Sequence, residues 1–224
     1  MKIGIIICNN KDSKRNPGKN ERLYRFTADW LKRETEAIAE KTDSEIQIVE
    51  TRSRQNMLGD VGRFTLCKNA EWMVVCAEPC GQHCDAVREA MNHLQNPDVV
   101  VLLQLSNPVR RPGLLFDAVN LAAVSNRVVA SCVLDYSDDW RRVRYDKSIN
   151  PRNNEKVMKI DGAMYAWDPD AVPVYEVFQP LAPKEWVLNY DGEVADVDWR
   201  YQEDSILFES MNQRLICEYD FWNY

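Results

Sequence analysis

The 224-residue chain contains three groups of polar side chains of types that could bind a phosphorylated ligand, a metal ion or a polyol. The first is KDSKRNPGKN, which places Lys11, Lys14, Arg15 and Lys19 around a Pro-Gly pair. Cations and backbone N–H groups in such a loop can bind a polyphosphate, and a basic loop facing solvent is the alternative interpretation. The segment contains neither GxxxxGK[ST] nor GxGxxG, which excludes a P-loop and a dinucleotide-binding turn.

The second group is a pair of carboxylates near the end of the sequence. Asp196 and Asp198 stand two apart in VADVDWRYQED, where the alternation suggests a strand or its end. Side chains two apart in a strand share one face, so both could bind a hard cation such as Mg²⁺ beside waters and substrate phosphates. An exposed acidic turn is the alternative.

The third group, QLSNPVRRPG, follows the most apolar run of the chain. Gln104 and Ser106 can hydrogen-bond a polyol, and Arg110 or Arg111 can bind a carboxylate through its planar fork. The alternative is an ordinary turn in which Ser106 or Asn107 caps the next helix.

Four thiol and imidazole side chains in CAEPCGQHC are of the types that bind zinc, namely Cys76, Cys80, His83 and Cys84. They crowd into nine residues, whereas structural zinc sites pair two distant knuckles. The chain has seven cysteines, an odd number that favours reduced thiols over a disulfide framework. We therefore expect partly buried thiols here and no metal.

Strand patterns alternate with helical ones along the sequence, and this alternation predicts the fold. The strands fall at residues 3–8, 45–51, 72–77, 98–105, 127–134 and 163–167, and the helices at 21–41, 85–95, 114–125 and about 204–215. The pattern predicts an α/β fold of three αβα layers around a mainly parallel sheet. Such sheets bind ligands at the carboxyl ends of their strands, where the basic loop and QLSNPVRRPG stand.

The bulk composition sets limits on partners and location. The formal charge of −7 argues against a protein that coats nucleic acid or an anionic membrane, because such binding needs many cations. The opening apolar run is too short for a signal peptide, and no run approaches the length of a bilayer span. We expect a cytoplasmic protein of one domain, residues 1–224, with no nucleic-acid or membrane partner.

Four motifs together resemble those of the CMP-N-acetylneuraminate (acylneuraminate) cytidylyltransferase family, of which the chain looks like a divergent member. The family's ARxGSKRxPxKN, LLQPTSPLR, NGAIY and DIDTPED are matched in order by SKRNPGKN (13–20), LLQLSNPVR (102–110), DGAMY (161–165) and DVDWRYQED (196–204). The resemblance covers most of the chain.

The resemblance implies a nucleotide-diphospho-sugar transferase fold of the GT-A, Rossmann-like type. It implies a Mg²⁺-dependent enzyme in which a hydroxyl of a sialic-acid-like or Kdo-like sugar acid attacks the α-phosphate of CTP, giving CMP-sugar and pyrophosphate. Lys14 and Lys19 would be catalytic. The nucleotide-binding set would be Asn10, Ser13, Lys14, Arg15, Lys19 and Asn20; the substrate-binding set Gln104, Ser106, Arg110 and Asp161; and the metal ligands Asp196 and Asp198.

The chain also departs from the family pattern. Residues 9–12 are Asn-Asn-Lys-Asp where the family has Ala-Arg and two small residues. A polar excursion at about 141–162 is shorter than the arm through which the family dimerises, so a homodimer is expected only as an option. The alternatives are a nucleotidyltransferase of the same fold with another NTP or acceptor, and an inactive nucleotide- or sugar-binding homologue.

Overall fold

The structure is a computed structural model that describes residues 1–9, 19–52, 62–76, 83–105, 110–135, 157–179 and 184–191. Its strands are β1 (Lys2–Asn9), β2 (Glu45–Arg52), β3 (Arg63–Cys67), β4 (Ala70–Cys76), β5 (Val99–Leu103), β6 (Val128–Asp135), β7 (Val157–Trp167) and β8 (Lys184–Asp191). Its helices are α1 (Lys19–Lys41), α2 (His83–Met91), α3 (Leu114–Ala122) and α4 (Val174–Val177). None of these helices is long and apolar enough to cross a membrane.

The strands form one sheet in the order β3-β4-β2-β1-β5-β7-β6-β8. Strands β4, β2, β1 and β5 pair in parallel, whereas β7 lies antiparallel between β5 and β6, and β3 is antiparallel to β4. The α/β fold with a mainly parallel sheet is confirmed.

The chain changes direction within this sheet between β1 and β5. It moves outward from β1 through β2 to β4 and then returns, so that β5 pairs with the other side of β1. Open α/β sheets bind ligands in the crevice at such a switch point, outside the carboxyl ends of the strands. The sheet order therefore marks the ends of β1 and β5 as the expected site.

Helices cover both faces of the sheet, which explains the near-continuous apolar strands. Ile3, Ile5 and Ile7 of β1 pack with residues of α1 and α3 on one face, whereas Ile6 packs with residues of α2 and α4 on the other. All five residues of β5 are buried.

The structure adds two strands that periodicity did not reveal, β3 and β8, and it lengthens a third. Strand β7 begins at Val157 rather than Ala163, because Asp161 and Gly162 form a bulge that interrupts the apolar pattern without ending the strand. The earlier part of the predicted excursion, residues 141–156, lies outside the described residues, as does the helix predicted at 204–215.

The buried face of α1 carries polar side chains as well as apolar ones. Glu34 is 4% exposed, and its carboxylate accepts hydrogen bonds from the backbone N–H groups of Gly113 (2.8 Å) and Leu115 (3.3 Å). These N–H groups belong to the first turn of α3, where a helix has no internal partners for them. Gly113 has a φ of 76°, which suits glycine. Burial raises the pKa of Glu34 from 4.5 to about 7, although the two hydrogen bonds oppose that shift.

We expect the raised pKa of Glu34 to make stability depend on pH. A carboxyl group whose pKa is higher in the folded state contributes most below its unfolded pKa of 4.5, and this contribution is lost as the pH rises to about 7. Relative to a Glu34→Gln variant, the wild type should lose about 3 kcal/mol of unfolding free energy across that window. Urea unfolding of both proteins at several pH values measures the difference, and a difference that stays constant would show that folding does not raise the pKa of Glu34.

Candidate functional site

The candidate site is the crevice at the carboxyl ends of β1 and β5. Asn9 ends β1, and Gln104 directly follows β5. Helix α1 connects the carboxyl end of β1 to the parallel strand β2, so its first two residues, Lys19 and Asn20, follow this same edge of the sheet. Because β1 and β5 are hydrogen-bonded neighbours, the basic loop and the QLSNPVRRPG segment follow adjacent strand ends.

Several predicted site residues lie outside the described part of the chain. They are Asn10, Ser13, Lys14 and Arg15 of the basic loop, Ser106 of the central motif, and the carboxylate pair Asp196 and Asp198. Their roles stay predictions.

Gln104 is held closely by strand β7. Its backbone N–H donates to the carbonyl oxygen of Ala163 (3.3 Å). Gly162 has a φ of 70°, and a Cβ at that position would stand 3.4 Å from Oε1 of Gln104. Glycine therefore gives the bulge its backbone conformation and leaves room for the Gln104 side chain, which is half-buried.

Arg110 lies inside the protein rather than facing the crevice. The residue is 1% exposed, and its guanidinium donates to the carbonyl oxygens of Gln104 (2.8 Å) and Ala163 (3.2 Å) and to the hydroxyl of Thr27 (3.1 Å). It also lies over the ring of Trp30, 5.3 Å from the centroid. Burial lowers the pKa of Arg110 to about 10, and the negative charge of Asp161 opposes that shift. Arg110 thus remains charged at neutral pH.

Asp161 is likewise buried, and its carboxylate fixes the bulge of β7. It accepts hydrogen bonds from the hydroxyl of Ser131 (2.5 Å), the backbone N–H of Ala163 (2.8 Å) and the amide of Asn189 (2.7 Å). These contacts link the bulge to β6 and β8. The structure therefore gives Asp161 a positioning role.

Arg111 ties the start of α3 to β8. Its backbone N–H donates to Oδ1 of Asn189 (2.9 Å), its Nε donates to the carbonyl oxygen of Leu188 (2.7 Å), and its guanidinium pairs with Asp117. Both arginines predicted as carboxylate ligands thus bind acceptors of the protein itself. The donors of Arg110 are taken by Thr27 and by buried carbonyl groups in this geometry, and its contact with the sugar acid stays a prediction.

A second polar cluster at the same edge escaped the sequence analysis. The carboxylate of Glu50, which is fully buried, accepts hydrogen bonds from Nδ2 of Asn9 (2.7 Å), Nε of Arg52 (2.6 Å) and the hydroxyl of Tyr24 (2.8 Å). Burial, with the adjacent Glu50 charge, raises the pKa of Tyr24, so this hydroxyl remains a donor. The alternation of residues along β2 could have indicated that Glu50 is buried, because Glu50 continues the buried face of Ile46 and Ile48.

The described part of the chain contains no group of three or more His, Cys, Asp or Glu side chains placed to hold a metal ion. Cys76 is half-buried at the end of β4. The side chains of Cys80, His83 and Cys84 lie outside the described residues, so the expectation of no metal among these thiols is not tested.

Comparison with known proteins identifies the fold. No family model matches the chain, and no curated protein matches it. The structure is similar to 4-diphosphocytidyl-2C-methyl-D-erythritol synthase from Anaerococcus prevotii, with a TM-score of 0.58, 16% identity, and coverage of 94% of this chain and 98% of that one. It is also similar to 2-C-methyl-D-erythritol 4-phosphate cytidylyltransferase from Thermus thermophilus, with a TM-score of 0.51, 12% identity, and coverage of 95% of this chain and 100% of that one.

A third similar structure is CMP:2-keto-3-deoxy-manno-octonic acid synthetase in complex with CTP, with a TM-score of 0.50, 15% identity, and coverage of 85% of this chain and 90% of that one. At these identities the likeness establishes the fold alone. The chain has the nucleotide-diphospho-sugar transferase fold, as predicted.

We expect Arg110 to be needed for stability rather than for contact with substrate. An Arg110→Met variant leaves two buried carbonyl groups without their charged donor and should lose about 3 kcal/mol of unfolding free energy. Arg111→Met is the matched control, because the Arg111 side chain is 29% exposed, and it should lose about 1 kcal/mol. Urea unfolding measures both values. An unchanged unfolding free energy for Arg110→Met, with a raised KM for an acidic substrate, would contradict the positioning role.

Proposed function

We propose that the protein is a cytidylyltransferase that activates a sialic-acid-like or Kdo-like sugar acid with CTP. A hydroxyl oxygen of the sugar acid forms a bond to the α-phosphorus of CTP, and the bond from that phosphorus to the bridging oxygen breaks. Pyrophosphate leaves with the electron pair, and the hydroxyl proton passes to solvent. Such transfer depends mainly on positioning and on neutralising charge, so it needs cations rather than a covalent nucleophile.

One observation carries this proposal. The basic loop follows β1 and the QLSNPVRRPG segment follows β5, and these two strands are hydrogen-bonded neighbours at the switch point of the sheet. Motifs about 90 residues apart in the sequence, which the family resemblance assigns to the triphosphate and to the sugar, therefore follow adjacent strand ends. The three similar structures are named as cytidylyl-transfer enzymes or hold CTP, which supports the choice of nucleotide.

Mg²⁺ is part of the proposal. Asp196 and Asp198 would supply the carboxylate oxygens that this cation prefers, and Lys14 and Lys19 would bind the triphosphate from the opposite end of the chain. When bound, the cation would neutralise charge on the phosphates.

A second candidate acceptor is a phosphorylated sugar alcohol. Two of the similar structures are named for methylerythritol or its 4-phosphate, and their TM-scores of 0.58 and 0.51 are no lower than that of the sugar-acid enzyme. The burial of Arg110 favours this candidate as well, because that guanidinium does not face the crevice to bind a sugar carboxylate.

A pyrophosphate-release assay separates the candidates. The protein with Mg²⁺ and CTP should release pyrophosphate with one of a panel of eight- and nine-carbon keto-deoxy sugar acids. Release only with 2-C-methyl-D-erythritol 4-phosphate would favour the second acceptor. No release with either class, from protein that melts cooperatively, would refute cytidylyl transfer to both acceptors.

Removing one carboxylate of the pair tests the metal assignment. Asp198→Ala should lower the rate of pyrophosphate release about 100-fold or more, because a lost metal ligand removes stabilisation of the developing charge. Glu193→Ala, in the same acidic segment but outside the pair, should keep the wild-type rate. Both variants should melt at the wild-type temperature. Turnover by Asp198→Ala at the wild-type rate would rule out this residue as a metal ligand.

A further inference from the structure

Three buried polar side-chain atoms have no hydrogen-bond partner among the residues that the structure describes: Oδ1 of Asn9, Nε1 of Trp72 and Nε1 of Trp167. Trp72 pairs with Ile48 in the middle of β2, and Trp167 pairs with Val100 near the amino end of β5. Only Asn9 of these three lies at the carboxyl edge of the sheet, where it ends β1 beside the switch point. Oδ1 of Asn9 is therefore the one of these three atoms that lies at the candidate site.

Glu50 determines which end of the Asn9 amide is left without a partner. An ionised carboxylate only accepts hydrogen bonds, so the amide must turn its NH₂ group toward Glu50, as the 2.7 Å contact from Nδ2 to Oε1 shows. Arg52 and Tyr24 also donate to this carboxylate, so all of its partners are donors, and a flipped Asn9 amide would place an oxygen against it. The other end of the amide, Oδ1, is thus fixed as an acceptor. Asn9 is 2% exposed, so this acceptor has little access to water.

We propose that Oδ1 of Asn9 reads the nucleobase by accepting a hydrogen bond from the exocyclic 4-amino group of cytosine. This inference rests on the proposed use of CTP. Cytosine offers an amino donor at that position, whereas uracil offers an oxygen that can only accept. A buried acceptor that is held in place therefore binds cytosine. With uracil, Oδ1 of Asn9 and the 4-oxygen of the base would face each other without a hydrogen between them.

The inference predicts that the wild type prefers CTP to UTP on the order of tenfold or more, the factor expected for one hydrogen bond. Isothermal titration of the full chain with Mg²⁺ and each nucleotide measures the ratio of the two dissociation constants. A pyrimidinone analogue of CTP that lacks the 4-amino group should bind about as weakly as UTP. This measurement needs no variant, so it stands even if substitutions at Asn9 prevent folding.

Substitution then assigns the preference to Asn9. Asn9→Leu keeps the volume of the side chain but removes the acceptor, and Asn9→Ala replaces it if that variant does not fold. Either variant should bind CTP and UTP with about equal dissociation constants. Tyr24→Phe is the matched control, because it removes a different donor from the same Glu50 carboxylate and should keep the wild-type preference.

The outcomes separate this inference from the proposed function. A wild-type preference for CTP that the Asn9 variants lose supports the inference. The same preference kept in the Asn9 variants overturns the inference, because Oδ1 would then have no part in base selection. Cytidylyl transfer would remain supported. Equal binding of CTP and UTP to the wild type also overturns it. A wild type that binds no nucleotide refutes the proposed function.

Discussion

The buried guanidinium of Arg110 is the interaction on which the carboxyl edge of the sheet depends. It donates to the end of β5 through Gln104, to the bulge of β7 through Ala163, and to α1 through Thr27. A buried charge is tolerated only while its hydrogen-bond partners stay in place, so these three elements must keep their relative positions. Asp161, which accepts hydrogen bonds from Ser131 and Asn189, supplies a negative charge that favours the charged form of Arg110 and extends the network to β6 and β8.

Helix α1 continues this network in two directions. Toward α3, Trp30 donates to the carbonyl oxygen of Arg111, and Glu34 receives the first N–H groups of the helix. Toward β2, Tyr24 donates to Glu50, which also holds the end of β1 through Asn9. Both ends of the basic loop therefore join elements of this network. The loop follows the end of β1, which Glu50 holds through Asn9, and it leads into α1, which packs on the sheet.

The sequence predicted the fold well because buried parallel strands and amphipathic helices leave strong local patterns. The sequence says less about the contacts of each site residue. An arginine after a strand end has the same local sequence whether it faces a crevice or the interior, so the burial of Arg110 could not be predicted. Its partners, Thr27 and Ala163, are 83 and 53 residues away, so only the fold shows that they meet. Glu50 was missed for a related reason, since its donors come from two other elements.

A crystal structure of the protein with CTP and Mg²⁺ would show whether the ends of β1 and β5 form a site for CTP. We expect the cytosine beside Asn9, the triphosphate against residues 11–20, and the metal ion between the triphosphate and the carboxylates of Asp196 and Asp198. CTP bound away from this edge of the sheet, or crystals without nucleotide at millimolar CTP, would contradict it.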